Sequence, residues 1–195
     1  ESTAALLDAL GAQGGVEEAY ALQTCNRVEA YVVTNDPETG RRALDAVGLG
    51  DHPAAVDSGP EESLRHLMRV AAGIESLVLG EDQILGQVRR AYETAVDSGD
   101  IGPVLEEGVT KAIHVGERAR TETAINEGVV SLGSAAVHLA DSELDLANAS
   151  ALVIGAGEMG SLAAKAFDAA GVENVVVANR TPERAEWVLA ALDAP

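Results

Sequence analysis

Six residues constrain the fold of this chain more than any others. Gly155-Ala156-Gly157-Glu158-Met159-Gly160 follow the apolar run Ala151-Leu152-Val153-Ile154 and precede a helical pattern over 158–170. The first glycine permits a tight turn out of a strand, the second lets a pyrophosphate approach the backbone, and the third allows close helix–strand packing. The helix that follows offers unpaired N–H groups to an anion. Asn174-Val175-Val176-Val177-Ala178 reads as a second strand, and Thr181-Pro182-Glu183 as a helix start with threonine as N-cap and proline at N1. The spacing predicts a βαβ unit that binds a dinucleotide. An NAD site places Asp or Glu at the end of the second strand to hold the ribose 2′-OH, but this chain has Asn179-Arg180-Thr181 there. Arginine pairs with a 2′-phosphate, so NADPH is the expected cofactor. The alternative for Arg180 is a solvated charge.

Upstream, residues 3–10 carry a short helical pattern closed by glycines at 11, 14 and 15. Residues 18–24 and 28–34 alternate as strands joined through Cys25-Asn26-Arg27, and 38–47 are helical. The Gly-, Pro- and Asp-rich stretch 51–60 reads as a connection with a short strand at 54–57. Pro60 opens a helix bearing Leu64, Leu67, Met68 and Ala71. A second helix carries Ile84, Leu85, Val88, Ala91, Tyr92 and Ala95, a third Leu105, Val109, Ala112, Ile113 and Gly116, and a fourth covers 128–140. The expected division falls at 148–150, giving domains over 1–147 and 148–195.

Between 73 and 92, Glu75, Ser76, Glu81, Gln83 and Gln87 are threaded through Ile74, Leu77, Val78, Leu79, Ile84, Leu85 and Val88. Buried polar groups need partners, so a helix that served only a core would not carry them. Cys25 is the single cysteine. A small buried hydrophobe is its ordinary role, but Thr24, Asn26 and Arg27 surround it in sequence, and a nearby guanidinium favours the reactive thiolate. Cys25 is therefore the expected nucleophile. His66 stands next to the polar-laced segment and is the candidate for handling protons; a structural histidine is the alternative. A nucleophilic thiol with a hydride donor defines a narrow chemistry. The thiolate displaces the leaving group of an activated acyl group, and the thioester accepts hydride to release an aldehyde and regenerate the thiol.

The chain carries 32 acidic against 13 basic residues, a net charge of -19. The acid is spread along the whole sequence, as expected for a surface adapted to concentrated salt, where the Debye length shrinks to about 3 Å at 1 M. Repulsion of nucleic acid is the other reading. One cysteine excludes a disulfide framework and a thiolate-rich metal site, and no two of His52, His66, His114 and His138 share ligand spacing; no metal is expected. No apolar stretch approaches the roughly 20 residues of a membrane span and no signal peptide opens the sequence, so a cytoplasmic location is expected.

Four segments, LQTCNRVEAY at 22–31, HLMRVAAGIESLVLGEDQILGQVRRAY at 66–92, VGERARTETAI at 115–125 and VVVANRT at 175–181, together resemble the glutamyl-tRNA reductase family over essentially the whole chain. The resemblance implies an α/β fold: a ferredoxin-like α/β catalytic domain with added helices, followed by a Rossmann-type NADP-binding domain truncated at the end of the sequence. It implies Cys25 as the nucleophile that forms a glutamyl thioester, with His66 close to the thiol. Thr24, Arg27, Ser76, Glu81 and Gln83 would line the glutamate site, Arg27 facing a substrate carboxylate. Gly155, Ala156, Gly157, Glu158, Met159, Gly160, Asn179, Arg180 and Thr181 would hold NADPH. The implied reaction reduces glutamyl-tRNA to glutamate-1-semialdehyde, the first step of tetrapyrrole synthesis from glutamate, with glutamate-1-semialdehyde aminotransferase as partner. A first strand before residue 1, the rest of the NADPH domain, a spinal helix and the region forming a homodimer are expected outside these residues. A chain of this extent is expected to form the thioester, or to hydrolyse the charged tRNA slowly, without reducing it efficiently.

Two other readings compete. A shikimate-dehydrogenase-like NADP oxidoreductase also carries NRT after the glycine motif and would not need Cys25. A non-catalytic module that senses dinucleotide and binds RNA or protein would bind NADPH without cysteine-dependent turnover. Arg89, Arg90, Arg118 and Arg120 are candidates for tRNA phosphate contacts, with solvated charge as the alternative.

Overall fold

The computed structural model describes residues 2–24, 26–50, 55–56, 58–126 and 131–192. Two compact units divide the chain, Glu1–Ser76 with Asp82–Ile125, and Leu77–Glu81 with Asn126–Pro195.

The first unit is built on an antiparallel hairpin, β1 (Val16–Gln23) with β2 (Val28–Thr34), paired so that Tyr20 faces Tyr31 and Leu22 faces Glu29. Around it lie α1 (Thr3–Gly11), α2 (Pro37–Ala46), α3 (Pro60–Ala71), α4 (Asp82–Ser98) and α5 (Pro103–Glu122). Local chemistry starts these helices. Asp36 caps α2 by accepting from Thr39 N–H, and prolines occupy the first turns of α2, α3 and α5, where a missing N–H costs nothing. The core joins Leu7 and Leu10 of α1, Tyr20 and Leu22 of β1, Val70 of α3, Val88 of α4 and Val109 of α5.

One buried acid organises this unit. The N-cap of α5 is Gly102, which has no side chain to offer, and Glu18 of β1 takes over the task. Its carboxylate accepts from Val104 N–H at 3.1 Å and Leu105 N–H at 2.7 Å, placing negative charge at the positive end of the helix. At the other end of α5, Arg120 donates to the carbonyls of Ala71 and Gly116, both at 2.9 Å, and so closes the C-terminus of α3. Gly116 allows the close approach, since a Cβ there would lie 2.6 Å from the Ala71 carbonyl oxygen. Arg120 is thus a structural cap, and burial lowers its pKa. Arg89 pairs with Glu117 and Arg118 with Glu122 on the surface.

The second unit is a parallel pair, β3 (Ser150–Ile154) and β4 (Asn174–Ala178), joined by the crossover helix α7 (Glu158–Ala169) and followed by α8 (Pro182–Ala190). Val153, Val175 and Val177 pack towards Ala164 and Val188, while Leu152, Ile154 and Val176 on the opposite sheet face are exposed. The expected α/β class and Rossmann-type βαβ are present. Helix α6 (Leu132–Glu143) starts on a Ser131–Ser134 capping box and packs on α7 so tightly that a Cβ on Gly133 would lie 2.7 Å from the Leu162 carbonyl oxygen. Contacts therefore assign α6 to the second unit, whereas the sequence division falls after it. Of the short strand expected at 54–57, residues 54 and 57 lie outside the described residues, and 55–56 are not strand. The start expected for the fourth helix, at 128–130, and His52 also lie outside them. Among the described residues no helix is long and apolar enough to cross a membrane, and none of their side chains cluster as a metal site.

Candidate active site

The hairpin turn is held by one side chain. Thr24 Oγ1 accepts from Asn26 N–H at 3.2 Å and Arg27 N–H at 3.1 Å, while Thr24 N–H donates to the Arg27 carbonyl at 2.9 Å. A threonine hydroxyl reaching forward in this way fixes the turn at the strand end. Cys25 itself lies outside the described residues; its chain neighbours Thr24, Asn26 and Arg27 are described.

Past the turn, strand alternation puts Arg27, Glu29 and Tyr31 on one face of β2. Glu29 is the hub. Arg27 Nη1 donates to Glu29 Oε1 at 3.1 Å, Tyr31 Oη donates to Oε2 at 2.6 Å, and His66 Nε2 from α3 lies 2.9 Å from Oε1. Arg27 and Glu29 keep only 20% and 13% of their side chains exposed, whereas His66 keeps 42%, so the imidazole borders solvent while its partner does not. Arg27 Nη2 also donates to the Glu75 carbonyl, which ties the hairpin to the segment after α3. The Glu75 carboxylate pairs with Arg69, and that hydrogen bond holds its pKa below the ordinary glutamate value. Burial, followed by the Glu29 charge and hydrogen bond, pushes the Tyr31 phenol far up.

The structure thus brings Thr24, Arg27 and His66 into one network. Ser76 and Gln83 are half-buried in the same unit, while Glu81 falls within the stretch grouped with the second unit. Glu29 was not among the residues expected to matter. A signal for it existed: the i, i+2, i+4 spacing of Arg27, Glu29 and Tyr31 puts a cation, an acid and a phenol on one strand face. Arg27 spends one N–H on Glu29 and one on Glu75 and has further donors for a carboxylate.

In the second unit, Gly155 has φ +106 and its N–H donates to the Ala178 carbonyl, tying the turn to β4. A Cβ on Gly160 would lie 1.8 Å from the Gly155 carbonyl oxygen, so the third glycine sets the helix against the loop. Gly157 is the N-cap of α7, with no side-chain cap and nothing within 4 Å of where its Cβ would stand. Glu158 and Met159 open the helix there. Asn179 Oδ1 accepts from Ala156 N–H at 3.1 Å, and its amide nitrogen donates to the Thr181 carbonyl at 2.8 Å. The Ala156 amide is therefore occupied from within, and the uncapped α7 entrance is left to meet an anion. Arg180 is exposed beyond β4. Thr181 holds the N-cap position of α8 as expected, without a side-chain cap bond.

A helix-rich α/β unit with a shared Arg27–Glu29–His66 network, followed by a glycine-turn βαβ unit, defines a two-unit α/β protein with a Rossmann-type second part. Residues 1–123 match the family model for the glutamyl-tRNAGlu reductase N-terminal domain, and residues 138–194 match that for shikimate / quinate 5-dehydrogenase. The chain belongs to the glutamyl-tRNA reductase family. It is 64% identical to the glutamyl-tRNA reductase of Halobacterium salinarum, over all of this chain and 45% of that protein. It is 60% identical to the one from Haloarcula marismortui, over 96% of this chain and 42% of that protein. The solved structure of glutamyl-tRNA reductase from Methanopyrus kandleri is 42% identical with a TM-score of 0.66, over 98% of this chain and 47% of that one. The chain spans less than half the length of the relatives it matches. The dehydrogenase likeness is confined to 138–194 and leaves the network around Glu29 unaccounted for, which removes the ground for the shikimate-dehydrogenase-like alternative.

Proposed function

We propose that the whole protein reduces glutamyl-tRNA to glutamate-1-semialdehyde with NADPH, opening tetrapyrrole synthesis from glutamate. The observation that carries this reading is the network that Arg27 and Glu29, shortly after Cys25 in sequence, make with His66 of α3, in a chain 64% identical to a glutamyl-tRNA reductase. The Cys25 thiolate attacks the ester carbonyl of the glutamyl group. A carbon–sulfur bond forms, the bond to the ribose oxygen breaks, and that oxygen leaves as a hydroxyl once protonated. Arg27 receives the side-chain carboxylate of glutamate, with Thr24, Ser76, Glu81 and Gln83 completing the substrate site, and His66 moves the proton. In this proposal residues 1–147 comprise the catalytic domain together with a helical connection that contains α6, and 148–195 belong to the NADPH domain.

The residues present fit the dinucleotide. The α7 N-terminus is uncapped, the space over Gly157 is open, and Arg180 is exposed where a 2′-phosphate would lie. Gly155 and Gly160 shape the turn, Asn179 holds it through Ala156, and Gly157, Glu158 and Met159 supply the backbone facing the pyrophosphate. When bound, NADPH supplies the hydride that replaces sulfur on the acyl carbon, releasing aldehyde and thiolate. Glutamate-1-semialdehyde aminotransferase as the acceptor of that aldehyde, a homodimer of the whole protein and a cytoplasmic location belong to the same proposal.

The test is mass spectrometry of the whole protein mixed with glutamyl-tRNA in the absence of NADPH. A glutamyl adduct on the Cys25 peptide, absent from Cys25→Ala, is the expected result. Adduct-free protein that still reduces the substrate would overturn the thioester route.

A further inference from the structure

Glu29 accepts hydrogen bonds on both oxygens, and the identity of its donors fixes the state of a third group. Arg27 can only donate, and Tyr31, whose phenol keeps its proton, donates to Oε2. Facing this carboxylate at 2.9 Å, His66 Nε2 must be the ring nitrogen that carries hydrogen. Whenever the ring is neutral, its lone pair is then on Nδ1, which makes no hydrogen bond among the described residues.

We propose that Glu29 is a positioning residue that locks His66 in the Nε2–H tautomer, making Nδ1 the atom that takes and returns the proton during acyl transfer. The proposal rests on the reading of Cys25 as nucleophile. A carboxylate needed only to neutralise Arg27 would not have to align with a ring from another element, yet one oxygen serves both. The charged and titratable groups around the imidazole are Arg27 just before β2, Glu29 and Tyr31 of β2, Arg69 near the end of α3 and Glu75 after it. Methionine at 29 would keep the length of the side chain but offer the three donors no carboxylate oxygen. Arg27 Nη1 and His66 Nε2 share Oε1, so without the carboxylate the orphaned Arg27 N–H beside the ring favours a lone pair on Nε2, and His66 moves its hydrogen to Nδ1.

The experiment uses the whole protein with glutamyl-tRNA and no NADPH. Single-turnover acylation of Cys25 is followed by mass spectrometry from about pH 5.5 to 9, for the native protein, Glu29→Met, Glu29→Asp, His66→Asn and the Glu29→Met/His66→Asn double variant. Nitrogen NMR of the imidazoles, with His66 assigned from His66→Asn, reads the tautomer directly. The expected result is Nε2–H in the native protein and in Glu29→Asp, and Nδ1–H in Glu29→Met, whose acylation slows about tenfold to a hundredfold. The double variant should be no slower than His66→Asn, because Glu29 acts through His66. An unchanged tautomer in Glu29→Met, or losses that multiply in the double variant, would overturn the proposal. If the native protein forms no adduct, the functional reading fails, and the tautomer in Glu29→Met and Glu29→Asp still decides the role of Glu29.

Discussion

The backbone N–H of Leu105 donates to Glu18 Oε2 at 2.7 Å, across eighty-seven positions of sequence. A strand residue thereby caps a helix whose own N-cap is glycine, and a charge buried to 7% exposure is satisfied by the helix it starts. Glu18→Ala should cost about 3 kcal/mol, because two N–H groups lose a charged acceptor in a place water reaches poorly. Glu18→Gln keeps one acceptor oxygen and should cost about 1 kcal/mol. Urea unfolding at fixed high salt measures both. A Glu18→Ala midpoint equal to that of the native chain would show that the helix start is held some other way.

The three glycines of the turn make different demands. Alanine at 160 would push its Cβ into the Gly155 carbonyl at 1.8 Å, where neither backbone can yield cheaply. Gly160→Ala should therefore destabilise the second unit and abolish dinucleotide binding together. Alanine at 157 meets nothing within 4 Å and suits the φ of -85 found there, so Gly157→Ala should fold with a loss below about 1 kcal/mol. Its methyl would occupy the approach to the α7 N-terminus and weaken NADPH binding by about tenfold or more. Fluorescence titration of the whole protein alongside thermal unfolding separates the two effects. Equal unfolding losses in the two variants would remove the distinction.

Tyr20 and Tyr31, with ring centroids 5.8 Å apart, make the fold sensitive to alkali. Burial first, and the Glu29 charge second, raise both phenols well above their ordinary 10.0. The folded state thus favours the protonated phenol. Its contribution is complete below pH 10, where both states hold their protons, and declines above it as the unfolded chain ionises while the folded chain does not. The slope should be about 1.4 kcal/mol per pH unit for each phenol. Tyr20→Phe or Tyr31→Phe should each remove one share of it, as read from unfolding free energies between about pH 9 and 11.5. A native slope that neither variant reduces would contradict the assignment.

Much of this architecture is written locally. Pro60 and Pro182 mark helix starts, the alternation of 18–24 and 28–34 marks the hairpin, and the glycine spacing after Ile154 marks the βαβ turn. What was not legible depends on partners brought from afar. Glu29 reads as the polar side of an edge strand until His66 of α3 is seen against it. Helix α6 carries no sign in its own sequence of belonging with α7, because the close approach of Gly133 to the Leu162 carbonyl is a fact about two helices. Glu18 looks like one acid among 32, and only the glycine at the head of α5 gives it a task.

Arg120 shows why a candidate phosphate contact cannot be assigned from helical position alone. Its guanidinium holds the Ala71 and Gly116 carbonyls and has little access to solvent, with 11% of the side chain exposed. Arg118, one turn-face away, is 57% exposed and pairs with Glu122 on its own helix. Removing Arg120 strips a charged donor from a buried helix end, so Arg120→Ala should cost about 2–3 kcal/mol. Both bonds leave the single nitrogen Nη1, so lysine, one ammonium with three donors, should recover much of that loss. Arg118→Ala should leave the unfolding midpoint where it was, since exposed pairs contribute little. If Arg118 touches tRNA, its loss should instead lower the salt slope of binding by about one. Chemical unfolding and salt-dependent tRNA binding, run on the same variants of the whole protein, divide the two arginines. A stable Arg120→Ala with a reduced salt slope would move Arg120 from the interior to the nucleic-acid surface.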